Sequence, residues 1–161
     1  MKYIEGVVNI REMGLINLPN LRDVIVEGYF DCSKNHLTSL EGAPKEVEED
    51  FDCYKNKLTS LIGAPEKVEG NFYCQDNELT SLDGCPEKIG YVFSCSFNNL
   101  TSLKGAPKTV GKHFNCGNNQ LTSLEGCPES VGGDFICRRN AVQFTEEDVI
   151  AVCKVKGSII V

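Results

Sequence analysis

The chain has no tryptophan, only two histidines and two methionines, and no long apolar run. Each shortage removes a class of function. A membrane-spanning helix needs about 18 or more consecutive apolar residues, and the opening stretch, interrupted by Glu5, Gly6 and Asn9, also falls short of a signal-peptide core. The expected location is the cytoplasm. Basic residues are outnumbered, 16 Lys+Arg against 23 Asp+Glu for a net charge of −7. Phosphate backbones and anionic lipids do not attract such a surface, so neither nucleic acid nor membrane is an expected partner. No nucleophile elbow, zinc-binding helix motif or glycine-rich phosphate loop is present. His36 and His113 stand outside any motif. The chain reads as a non-enzyme without a cofactor.

Cysteine runs the other way. There are nine, an odd number that a disulfide framework would leave with one unpaired. No two are closer than ten residues, whereas zinc sites draw four converging ligands from closely spaced pairs. Six of them, Cys32, Cys53, Cys74, Cys95, Cys116 and Cys137, recur every 21 residues. Phe30, Phe51, Phe72, Phe93, Phe114 and Phe135 precede them by two residues, and Asn35, Asn56, Asn77, Asn98, Asn119 and Asn140 follow by three. One unit reads F-x-C-x-x-N-x-L-T-S-L-x-G-[AC]-P-x-x-[VI].

A repeat of this length means a solenoid, in which each coil buries its apolar side only against its neighbours. Phe and Cys two residues apart share the inner face of a strand. The periodic Asn predicts an inward amide ladder that satisfies backbone groups where the coil bends. Gly with Pro predicts a tight return. A coil this short has no room for a helix on its back, so the return side is expected to be extended or polyproline-like. The thiols read as small buried hydrophobes, with Cys85 and Cys127 in the slot of Ala43, Ala64 and Ala106.

These motifs resemble the leucine-rich repeat family, whose L-x-x-L-x-L-x-x-N-x-L core is matched by Phe51, Cys53, Asn56 and Leu58. The Leu-Thr-Ser-Leu-x-Gly-x-Pro stretch is similar to the short-repeat class found in bacterial effectors and bacteriophage-encoded proteins. The chain departs from the family in placing Phe and Cys where Leu is usual. The resemblance implies a β-rich solenoid whose concave face is a parallel sheet of about eight short strands, with an extended convex side and a short C-terminal capping helix. It implies protein binding but no particular reaction, for example as an inhibitor or effector of a host defence or metabolic protein, in the host cytoplasm if phage-encoded.

The expected organisation is a single domain over 1–161: an N-terminal capping coil at 1–27, the 21-residue repeats over 28–142, and a C-terminal cap over 143–161. Val8 and Ile10 take the Phe and Cys places in the first coil. Thr145 heads a short helix with Val149, Val152 and Cys153 on one face. Ile159 and Val161 point inward from a last strand, and the edge Ile159–Val161 is a candidate homodimer contact.

Scaffold positions repeat, so binding information lies in what varies. Beside Phe and Cys, Tyr29, Tyr54, Tyr73, Val92 and Phe97 place large apolar groups on a face expected to be wet, the usual anchors of protein interfaces. Asp31, Asp50 and Asp52 lie toward one end of that face, and Arg138 and Arg139 toward the other, a gradient that would orient a protein partner. Other readings are a thiol, metal or redox protein using the cysteine ladder, an assembly component, and an acidic nucleic-acid mimic built on Glu46, Glu48, Glu49, Asp50 and Asp52.

Overall fold

Because Phe and Cys return at a constant interval, every coil offers the next the same backbone, and parallel pairing in register follows. In the computed structural model, which describes residues 2–161, Phe30, Phe51, Phe72, Phe93, Phe114 and Phe135 are successive strand partners, with Val8 before them and Ile159 after. Their rings are buried in one column with neighbouring centroids 5.0 to 5.8 Å apart, some pairs stacked and others tilted. This Phe sheet has eight parallel strands among the described residues, from Val8–Asn9 to Ile159–Ile160. The architecture is a parallel-strand β-solenoid of about eight turns with almost no helix.

The return side is extended, as expected, but it is also paired. It is not an unpaired extended segment: Val24–Val26, Glu46–Val47, Lys67–Val68, Lys88–Ile89, Thr109–Val110 and Ser130–Val131 stack into a second sheet of eight parallel strands, bounded by Lys2–Ile4 and Lys154–Val155. The same constant period that aligns the Phe column aligns the buried column Val47, Val68, Ile89, Val110 and Val131. Backbone groups brought level at a strand spacing form a ladder rather than remain bare.

The asparagines close each bend. Asn56 Oδ1 accepts the Leu37 N–H at 3.0 Å, and its Nδ2 donates to the Cys32 and Cys53 carbonyls, each at 3.1 Å. Asn77, Asn98 and Asn119 repeat the pattern, so each amide ties its own coil to the one before. At the next corner Gly84 turns the chain at φ 93°, a left-handed conformation that disfavours side chains.

Past Asn140 the period breaks. The helix Glu146–Ile150 is capped by Thr145, whose N–H donates to Asp148 Oδ2 at 2.8 Å while Asp148 N–H donates to Thr145 Oγ1 at 3.2 Å. Val149 and Cys153 are buried, but Val152 is exposed, because the helix ends at Ile150 and the following turn rotates it outward. Ile159 is half-buried, and Val161 is 39% exposed rather than inward.

Candidate functional site

The residues that follow Val8 and each Phe lie in strand register on the outer face of the Phe sheet: Asn9, Asp31, Asp52, Tyr73, Ser94, Asn115 and Ile136. Several of them brace the local backbone. Asp31 Oδ1 accepts the Ser33 N–H at 2.9 Å and Asp52 Oδ1 accepts the Tyr54 N–H at 3.0 Å. Asn9 and Asn115 do the same for Arg11 and Gly117, at 3.1 and 3.0 Å. A neutral amide therefore fulfils the structural role, and the charges of Asp31 and Asp52 exceed what the turn requires. Burial, reinforced by the charges of Asp31 and Asp50, pushes the Asp52 carboxyl up to about 6, against the opposing Tyr54 N–H and Arg11.

Arg11 was not legible as a site residue, yet it knits three coils. Its guanidinium donates to Ser33 Oγ at 3.2 Å and to the Tyr54 hydroxyl at 3.1 Å, lies 3.8 Å from Asp31 Oδ2, and sits over the Tyr54 ring at 5.4 Å from its centroid. Asp50 turns out to be a strut: its Oδ1 accepts from both the backbone N–H (2.7 Å) and the side-chain amide (2.9 Å) of Asn71, and Asn71 Oδ1 in turn accepts the Val92 N–H at 3.0 Å. Tyr29 is half-buried at the same edge.

Two residues beyond each of the six ladder cysteines the backbone is left-handed. Lys34, Lys55, Asp76, Phe97, Asn118 and Arg139 all have φ between 53° and 57°. Polar residues hold this column in every coil but one. Phe97 breaks the rule, is 54% exposed as a residue, and lines a depression of about 450 Å³ shared with Tyr73, Gln75, Val92, His113 and Ile136. Gln75 Oε1 is buried and has no hydrogen-bond partner among the described residues.

Eight of the ten expected site residues fall into three groups, while Asp50 braces Asn71 and Tyr29 stays with it at the sheet edge. Asp31, Asp52 and Tyr54 gather around Arg11; Tyr73, Val92 and Phe97 meet at the depression; Arg138 and Arg139 line a separate hollow of about 380 Å³ with Val142 and Phe144. The acidic run does not form one surface. Glu46 belongs to the return sheet and Asp52 to the Phe sheet, so the run wraps around a corner. A larger groove of about 1060 Å³ lies on the return sheet, over Gly90, Gly111 and Gly132 with Lys67, Lys88 and Lys154 beside them, where no binding residue was expected.

The cysteine ladder is buried, and burial pushes its thiols up, Cys95 to about 12 and Cys137 to about 11, which leaves little reactive thiolate. Among the described residues no group of three or more His, Cys, Asp or Glu is placed to hold a metal ion, and no helix is long and apolar enough to cross a membrane. No protein-family model, curated protein or solved structure matches the chain.

Proposed function

We propose that the chain is a non-catalytic protein-binding module of leucine-rich-repeat type, which holds a protein partner against the outer face of its Phe sheet. The observation that carries this reading is Phe97. A large apolar side chain in the left-handed region costs about 1 kcal/mol or more, and the residue is half exposed. Lys55 and Asn118 occupy the same place in other coils, so the fold has no need of an aromatic there. Tyr73, Val92 and Gln75 line the same depression, and the Gln75 amide oxygen is buried without a partner among the described residues. An exposed aromatic beside half-buried Tyr73 and Val92 suits an anchor point that a partner desolvates. Asp31 and Asp52 at one end and Arg138 and Arg139 at the other would orient the partner. By resemblance to the short-repeat class, that partner is a host defence or metabolic protein that the module inhibits or redirects.

The test is affinity capture with the full chain, repeated with Tyr73→Ala and Phe97→Ala combined. A partner held by the parent and lost by the double variant supports the reading. A partner held equally by both overturns it.

A further inference from the structure

The outer face of the return sheet carries two columns that the interior does not use. Glu46, Lys67, Lys88, Thr109, Ser130 and Lys154 stand in strand register. Two residues on from each, past the inward Val or Ile, come Glu48, Glu69, Gly90, Gly111, Gly132 and Lys156, each donating its N–H to the coil before. Both columns begin in Glu and end in Lys, and the second has three glycines between. Glu48, Lys88, Lys154 and Lys156 are exposed. Among the described residues neither they nor Glu46 take part in an ion pair, whereas Lys67 is matched by Glu69 of its own chain. The glycine column lies in the groove of about 1060 Å³, which Ile89 and Val110 also line and which reaches from Glu46 to Lys154 and Lys156. A surface whose charge reverses from end to end can be its own complement.

We propose that this face is the contact of a symmetric homodimer, in which a second copy of the chain packs its return sheet on the first with the order of coils reversed. A two-fold axis between the faces and parallel to the strands makes that arrangement. It sets each column opposite its own counterpart and inverts the rungs. Glu46 then faces the partner's Lys154, and Glu48 faces the partner's Lys156. Lys67 meets the partner's Ser130, Lys88 the partner's Thr109 and Glu69 the partner's Gly132, so no like charges oppose each other. Rotation about the other in-plane axis, along the stack, would set Glu46 against the partner's Glu48 and Lys154 against the partner's Lys156, and charge therefore selects the first axis. At the centre Gly90 faces the partner's Gly111, which lets the sheets close toward the spacing of about 10 Å found between packed sheets. One operation completes the assembly, so it stops at a dimer rather than growing into a fibre. The contact runs over six strands, five steps of about 4.8 Å or about 24 Å in all. That is small for a specific interface, and the dimer is reversible with a Kd of about 10 to 100 μM. It leaves uncovered the Phe sheet, which is the other sheet of the solenoid.

The experiment is sedimentation velocity on the full chain from about 5 to 500 μM. Monomer is expected to pass into dimer at about 0.05 M salt, with the association about tenfold weaker at about 0.5 M. Glu48→Lys and Lys156→Glu, both at exposed positions, each set like charges face to face and should weaken self-association about tenfold or more. Mixed in equal amounts, the two variants should recover the dimer as a heterodimer, since each supplies the charge the other has lost. A carbodiimide crosslink on the unaltered chain, in a mixture of unlabelled and heavy-isotope copies, should join Glu48 to Lys156 in products that carry both isotopes, because within one chain the two stand about 24 Å apart. A chain that stays monomeric at about 500 μM in low salt overturns the proposal. A mixture of folded variants that stays monomeric does so too. So does a dimer indifferent to salt and to both reversals, which would place the contact elsewhere, for example at the edge Ile159–Val161. The crosslink decides the matter even if a variant fails to fold.

Discussion

Asp52 is the strand partner of Asp31, one rung along the Phe sheet, so two carboxylates stand side by side on its outer face. Asp31 has Arg11 at 3.8 Å. Asp52 carries the strain, its carboxyl pushed up to about 6 by burial and then by its neighbours. A carboxyl whose folded value exceeds its unfolded one binds protons more tightly in the native state, so stability falls as pH rises from about 4 to about 6. Above that range the penalty is complete. Full linkage would amount to about 3 kcal/mol, and solvent screening of this partly exposed group reduces it to about 1 kcal/mol. Asp52→Asn keeps an acceptor for the Tyr54 N–H, as Asn115 does for Gly117. Urea unfolding should therefore show the variant about 1 kcal/mol more stable than the parent at pH 7.5 and no different at pH 4. Equal stability at both pH values would show that burial does not perturb Asp52.

The Asn column should be the most sensitive polar feature of the fold. Asn77 accepts the Leu58 N–H at 3.0 Å and donates to the Cys53 and Cys74 carbonyls at 3.1 and 3.2 Å, all buried. Asn77→Ala leaves one donor and two acceptors without partners inside the stack. At about 1 to 3 kcal/mol for each stranded group, the loss is expected to exceed about 3 kcal/mol in a denaturant titration. Asn77→Asp restores the acceptor but not the donors, and should recover only part of the loss. A cost below about 1 kcal/mol for Asn77→Ala would mean that water satisfies the bend instead.

The Phe, Cys and Asn columns were readable because each side chain meets its own copy one period away, and a period is visible in a single sequence. The second sheet was not. A strand such as Lys67–Val68 is two residues long and shows no alternation, so its pairing depends on the coils lying level, which is a property of the stack. Phe97 was visible as a wet aromatic, but its left-handed backbone was not, since Lys, Asp, Asn and Arg fill that column where Gly would have announced it. Arg11 belongs to a worn coil, and its partners Ser33 and Tyr54 lie 22 and 43 residues away.

Gly90 makes a prediction about close approach rather than turn geometry. A Cβ on Gly90 would overlap the Glu69 carbonyl oxygen, and one on Gly111 would overlap the Gly90 carbonyl oxygen. Glu48 and Glu69 hold the same place in earlier coils, so this requirement belongs to the column from Gly90 to Gly132. Gly90→Ala must push two rungs apart and is expected to cost about 1 to 3 kcal/mol, the range for overpacking. Thermal unfolding should show it, with the loss confined to that variant when compared with Glu69→Ala. Equal melting temperatures for the two would refute the tight approach.

Phe97 sets stability against binding, and the two can be measured separately. Asn is among the residues best tolerated in the left-handed region, and Asn118 already adopts it one coil later at φ 55°. With Phe97 half exposed, little buried area is lost on replacing it. Phe97→Asn should therefore leave the fold unchanged or raise its stability by up to about 1 kcal/mol. The same change removes the proposed anchor, and a central aromatic anchor contributes about 2 kcal/mol or more, roughly a thirtyfold loss of affinity for the captured partner. Stability that holds while affinity falls would mark Phe97 as a residue kept for contact rather than for folding. If stability falls while affinity holds, the aromatic serves the solenoid, and the binding face must be sought on the return sheet above Gly90 and Gly111.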